Sequence, residues 1–185
     1  MELREQAARP TLAQKLGDVT HVSPLLHKVR HLSGCTEEQV EDWLLKCAVG
    51  RGASHYRQSL DPSLPPDNPA VTDEELGVAL CLYHHPFNPI LIRAAAQLLS
   101  AGATNAQSLA HLAVMERCEP VLLHIAGAAA RVAPDQEPWA SLRRCLSSRR
   151  HARTDVLPHW SRFVLQTGFT PAGRGNHIEW LTRDE

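Results

Sequence analysis

The chain has 185 residues, 43% of them hydrophobic and 21% charged, which is enough for a sizeable core, and a formal net charge of -1, which excludes the strongly basic footprint of a dedicated nucleic-acid binder. The charge is uneven: residues 1–80 carry 8 basic and 12 acidic side chains, whereas residues 81–185 carry 11 and 8, and the three lysines Lys15, Lys28 and Lys46 all lie in the first part. That polarity suggests head-to-tail contacts, or an anionic partner for the later, arginine-only part.

Residues 1–17 contain no apolar core of a secretory signal, and no apolar stretch is long enough to span a bilayer. The expectation is a cytoplasmic protein with no membrane partner. Helices are expected near residues 2–16, 24–32 and 36–48, forming a three-helix module over residues 1–60. Pro24, at a first helical position, follows Ser23, a good cap. Thr36 and Gln39 have capping-box spacing: the Thr hydroxyl accepts from the amide three residues on, and the Gln side chain reaches back. His27 and His31, one turn apart, have the spacing of metal ligands. They lie opposite Leu25, Val29 and Leu32, so they are expected to face solvent. The two helices around Gly34 have a helix-turn-helix outline. Its second helix carries Glu37, Glu38, Glu41 and Asp42, which would repel phosphates, and packing through Val40, Trp43 and Leu44 is the plainer reading.

Residues 61–73 contain four prolines, a composition that reads as a stiff linker or a long ordered loop. The linker or loop is placed at 61–71, with a second region over 72–185. Capping-box spacing recurs at Thr72/Glu75 and at Thr104/Gln107. Pro89 after Asn88, Pro120 after Glu119 and Pro158 after Leu157 mark further helix starts. Thr72 to Thr104 and Pro89 to Pro120 are offsets of 32 and 31 residues. A repeat of that size made of two helices resembles the HEAT, armadillo and tetratricopeptide class of α-solenoid, with no tetratricopeptide or ankyrin consensus. The expected fold is therefore all-α, either a helical-repeat solenoid or an irregular helical bundle, with a short C-terminal strand or β-hairpin suggested by the alternation in residues 177–182. A third, less regular unit would run from Pro138 to Pro158. Gly168 before Phe169 reads as a helix C-cap.

The second helix of each repeat is apolar except for a narrow stripe: Arg93, Gln97 and Ser100 in one copy, His124, Ala128 and Arg131 in the next. After it comes an arginine cluster, Arg143, Arg144, Arg149, Arg150 and Arg153, with Trp139, Leu142, Cys145 and Leu146 on the buried face of its helix. These arginines either solvate a cationic helix end or bind phosphate or an acidic protein surface.

The five cysteines never form a CxxC pair and are expected as free, buried thiols. Gly-x-Ser-x-Gly, Walker A and dinucleotide fingerprints do not occur. His84 and His85 suit a helix C-terminus, with a site shared with His111 or His124 as the alternative. No cofactor, metal site or catalytic residue is expected. The resulting expectation is a non-catalytic scaffold, binding a protein partner, acidic in character, through Arg93, Gln97, His124, Arg131 and the later arginines. The alternative is a nucleic-acid module of helix-turn-helix or winged-helix type, and an uncharacterised hydrolase is the third reading.

Overall fold

Helix signals dominate the sequence, and a computed structural model, which describes residues 23–55, 63–82, 88–101, 103–147, 157–167 and 177–184, is mostly helical with one two-stranded sheet. Seven α-helices lie among the described residues: α1 (Pro24–Ser33), α2 (Val40–Gly50), α3 (Asp73–Leu82), α4 (Pro89–Leu99), α5 (Ala106–Met115), α6 (Glu119–Val132) and α7 (Trp139–Cys145). Strands β1 (Val164–Thr167) and β2 (His177–Trp180) follow. None of these helices is long and apolar enough to cross a membrane. The helix expected near residues 2–16, the histidines His84 and His85, and Arg149, Arg150 and Arg153 lie outside the described residues.

The caps explain most of the helix starts. Ser23 Oγ accepts from the Leu26 amide at 3.0 Å, and Asn88 Oδ1 from the Ile90 amide at 3.0 Å, each just ahead of a proline that needs no partner there. Thr72 and Glu75 form the reciprocal box, with bonds of 3.1 and 3.2 Å. Gln39 Oε1 accepts from the Thr36 amide at 3.2 Å, opening a 3₁₀ turn (Glu37–Gln39) that runs into α2. The third expected box is displaced by one residue. Asn105, not Thr104, caps α5, its Oδ1 accepting from the Gln107 and Ser108 amides at 3.0 and 3.1 Å. The Asn105 amide is itself taken by Glu74 of α3 at 2.9 Å, so a contact between helices replaces the reach-back.

The helices alternate along the chain between two sets. In the first, α1 touches α3, α3 touches α5, and α5 touches α7; in the second, α2 touches α4. Sequence neighbours pack as well within α1 to α4 and within α5 to α7, α3 on α4 most extensively. That closeness needs Gly77: a Cβ there would lie 2.6 Å from Leu99 Cγ. One buried apolar cluster runs through all of this, from Leu25 to Trp180. Glu116, buried at the α5–α6 corner, adds a polar tie, its Oε1 accepting from the Leu25 amide at 2.9 Å in the first turn of α1. Helix N-termini favour negative charge.

The proline-rich stretch is an ordered loop where described. Leu64 and Val71 are buried. Pro66 O accepts from Trp43 Nε1 at 3.2 Å, and Leu32 O from Asn68 Nδ2 at 3.2 Å. Arg51 holds the loop from the end of α2, bonding both oxygens of Asp67 at 2.7 Å, Val71 O at 2.7 Å, Asn68 O at 3.1 Å and Asp73 Oδ1 at 2.9 Å. All five of its donors are used. These bonds, first of all those to Asp67, push the guanidinium pKa further up. Burial alone would raise the Asp67 carboxyl, but the bonds from Arg51 and from the Cys47 thiol outweigh it and hold the group below the usual range.

The C-terminal part departs from the expectation at two places. Pro158 does not start an α-helix: it precedes a 3₁₀ turn (Trp160–Phe163) that passes directly into β1. Residues 164–167 are a strand rather than the helix expected ahead of Gly168, which itself lies outside the described residues. β1 pairs antiparallel with β2, Val164 opposite Trp180 and Thr167 opposite His177. The 3₁₀ turn lies against α4 and α6, and β2 against α6. Phe163 stacks on Trp180 with ring centres 5.8 Å apart, and Trp139 meets Trp180 edge-on at 6.2 Å. The chain then runs back to the end of α2, where the Asp184 amide donates to Gly52 O at 3.0 Å and Arg183 pairs with Asp73. Gly52 has φ +103°, and a Cβ there would lie 2.6 Å from Asp184 O, so only glycine serves.

Candidate functional site

The polar stripe of the second helices is divided by the returning C-terminal segment. Arg93 Nε donates to Arg162 O at 2.9 Å. Gln97, only 2% exposed, donates from Nε2 to Thr182 O at 2.9 Å. His124 Nε2 lies 2.7 Å from Pro158 O and therefore donates to it. Ser100, also buried, accepts from two indoles, Trp139 Nε1 at 3.1 Å and Trp180 Nε1 at 2.7 Å, and donates to Ala96 O at 2.6 Å. Three of the expected contact residues are thus engaged by the chain's own backbone. Gln97 is closed off altogether.

What stays open borders α6. One groove of about 450 Å³ is lined by His124, Gly127, Ala128 and Arg131 of α6 and by Leu157, His159 and Trp160 of the returning segment. Its lining contains no carboxylate among the described residues. Arg131 is exposed in the last helical turn, and no ion pair to it occurs among the described residues. His159 lies against Trp160, ring centres 5.5 Å apart, and accepts at Nδ1 from the Ser161 amide at 3.4 Å. The bond from His124 to Pro158 O fixes this wall relative to the helix.

A second groove, about 610 Å³, lies between α6 and α7 and is lined by Leu123, Pro134, Asp135, Glu137, Ala140, Arg143, Arg144 and Ser147. Arg143 and Arg144 are exposed there. Arg144 donates to Ser141 Oγ at 2.8 Å and is 3.4 Å from Glu137, an exposed pair that contributes little stability. The structure therefore brings His124 and Arg131 into one groove, places Arg143 and Arg144 in another, and leaves Arg93 and Gln97 beneath the returning chain.

His27 and His31 are exposed, as their helical phase requires, and no group of three or more potential metal ligands occurs among the described residues. Helix α2, the would-be recognition helix, is packed among α1, α3 and α4, with Val40, Trp43, Leu44, Leu45 and Cys47 buried. Glu41 accepts from Asn88, tying α2 to the start of α4. All five cysteines are free thiols, but they are not uniformly buried. Cys47, Cys81 and Cys118 are; Cys35 is half-buried; and Cys145, placed on the inner face by its periodicity, is exposed in the last turn of the short α7. Burial pushes the Cys81 thiol up to about 12 and raises Cys118 and Cys47 as well, Cys47 with help from Asp67.

The sequence reading missed Gly127, His159 and Trp160. Gly127 carried a signal, a glycine inside an alanine-rich helix. The other two did not, since Pro158-His-Trp reads equally well as a helix start. No protein family, curated protein or solved structure matches the chain.

Proposed function

We propose that the protein is a non-catalytic binding scaffold for an acidic protein partner, contacted along α6 and α7 through Arg131, Arg143 and Arg144. The observation that carries the reading is the placing of exposed arginines in two grooves that both border α6. Arginine offers a planar fork of donors suited to carboxylates. The scaffold is proposed to be a short helical repeat, with α1/α2, α3/α4 and α5/α6 as its units. In support, the first helix of each unit touches the first helix of the next, and α7 continues that row. The Glu74–Asn105 bond is one such contact between units.

Charge reversal tests the partner reading. Arg131→Glu, Arg143→Glu and Arg144→Glu are combined, and wild type and variant are compared by affinity capture, then by titration with the purified partner. The expected result is a partner lost by the variant at an unchanged unfolding midpoint, with affinity that falls as salt is raised. Equal binding of every captured protein by the variant would sink the assignment. A captured nucleic acid with a steep salt dependence would instead support the nucleic-acid alternative.

A further inference from the structure

A glycine inside a helix destabilises it relative to alanine. Gly77 has a packing reason, the Leu99 side chain against it. Gly127 has none among the described residues: a Cβ built there meets no atom within 4 Å. Its neighbours Ala126, Ala128, Ala129 and Ala130 show which residue this helix otherwise uses. Gly127 lies in the lining of the 450 Å³ groove, with His124 about one turn before it, Arg131 about one turn beyond, and His159 and Trp160 across from the helix. Among the described residues the groove thus combines bare backbone, an aromatic wall and a guanidinium with no carboxylate opposite it.

We propose that this groove is a binding site for a small organic anion with a flat apolar body, lying across Gly127 with its acid group toward Arg131 and its body against Trp160. Glycine allows a ligand to approach the helix backbone closely. The volume suits one small molecule. Arginine binds carboxylate in a two-bonded fork that a cationic ligand would not use. The site uses Arg131, as the scaffold reading does, but it needs no protein partner. Its test requires only the purified chain, so either reading can fail without the other.

The probe is 2-naphthoate, with 2-naphthylmethylammonium as the cation carrying the same ring system. Titration is followed by calorimetry and by the Gly127 amide resonance. Gly127→Leu fills the open space with a good helix former, so the variant is expected to fold, and its unfolding midpoint is measured alongside. The expected result is saturable naphthoate binding that moves the Gly127 resonance. Arg131→Gln should weaken it by about tenfold or more, the size of losing one charge-assisted contact, Gly127→Leu should weaken it at least as much by filling the space the ring would occupy, and the ammonium probe should not bind. Naphthoate that leaves the Gly127 resonance in place, or binds folded Gly127→Leu as well as wild type, overturns the site. Equal binding of both probes, or undiminished binding by Arg131→Gln, overturns the anion assignment.

Discussion

Trp180 Nε1 donates to Ser100 Oγ at 2.7 Å, joining residues 80 positions apart, and Trp139 Nε1 donates to the same oxygen at 3.1 Å. One hydroxyl at the end of α4 therefore satisfies the Trp180 indole of the C-terminal segment and the Trp139 indole of α7 together. Ser100→Ala should leave two indole N–H groups without a partner and destabilise the protein by about 2 kcal/mol or more, since each buried orphan donor costs about 1–3 kcal/mol. Urea unfolding measures this. In the Trp180→Phe background the same change should cost clearly less, because one of the two donors is already gone.

The cap of α5 gives a paired prediction. Asn105→Ala should lower stability by about 1 kcal/mol, the usual loss for an N-cap, with Thr72→Ala behaving alike. Thr104→Ala should be close to neutral, because the buried Thr104 hydroxyl has no hydrogen-bond partner to lose among the described residues. Thermal unfolding of the three variants checks the order; a Thr104 effect as large as that of Asn105 would return the cap to Thr104.

Two helix glycines should respond to alanine with opposite signs. Gly77→Ala drives a methyl into Leu99 and should cost about 1–3 kcal/mol through overpacking. Gly127→Ala meets open space and should add roughly 0.5–1 kcal/mol through helix propensity. Chemical denaturation of both variants decides.

Acid stability should depend on Asp67. Its carboxyl is held below its ordinary value in the folded chain, so its contribution to stability is present above the unfolded-state value of about 3.9 and is lost as pH falls through the lower folded-state value. Asp67→Asn should therefore be less stable than wild type at pH 7, and the difference should shrink below about pH 4. Denaturation midpoints of both proteins across pH give the comparison; a constant gap would remove the Arg51–Asp67 ion pair from the account.

Thiol reactivity should follow burial. In the native protein a disulfide reagent should modify the exposed Cys145 first and Cys35 more slowly, with Cys47, Cys81 and Cys118 protected until unfolding. Five thiols should react in denaturant. Peptide mapping of the labelled chain identifies the order.

The signals that could be read from sequence act over a few residues. Ser23, Asn88 and Thr72 bond amides two or three positions away, and a proline in the first turn restricts its own φ, so the positions of the seven described α-helices followed from neighbouring residues, with Cys145 of α7 the misplaced member of its apolar face. The cap at Asn105 escaped because Thr104 offers the same local pattern, and the choice between them was made by Glu74, 31 positions back. The stripe of Arg93, Gln97 and His124 was legible as polar. Its fate was not, because it depends on the path of residues 157–167 and 177–184. Only in three dimensions do the carbonyls of Arg162, Thr182 and Pro158 arrive over those side chains. β1 was hidden for the same reason: four residues form a strand only when a partner is brought alongside, and that partner, His177–Trp180, lies further along the chain. Local hydrogen bonding and periodicity thus determined the helices, whereas the long-range return of the C-terminal segment decided which polar groups became internal ties and which, like Arg131, stayed exposed.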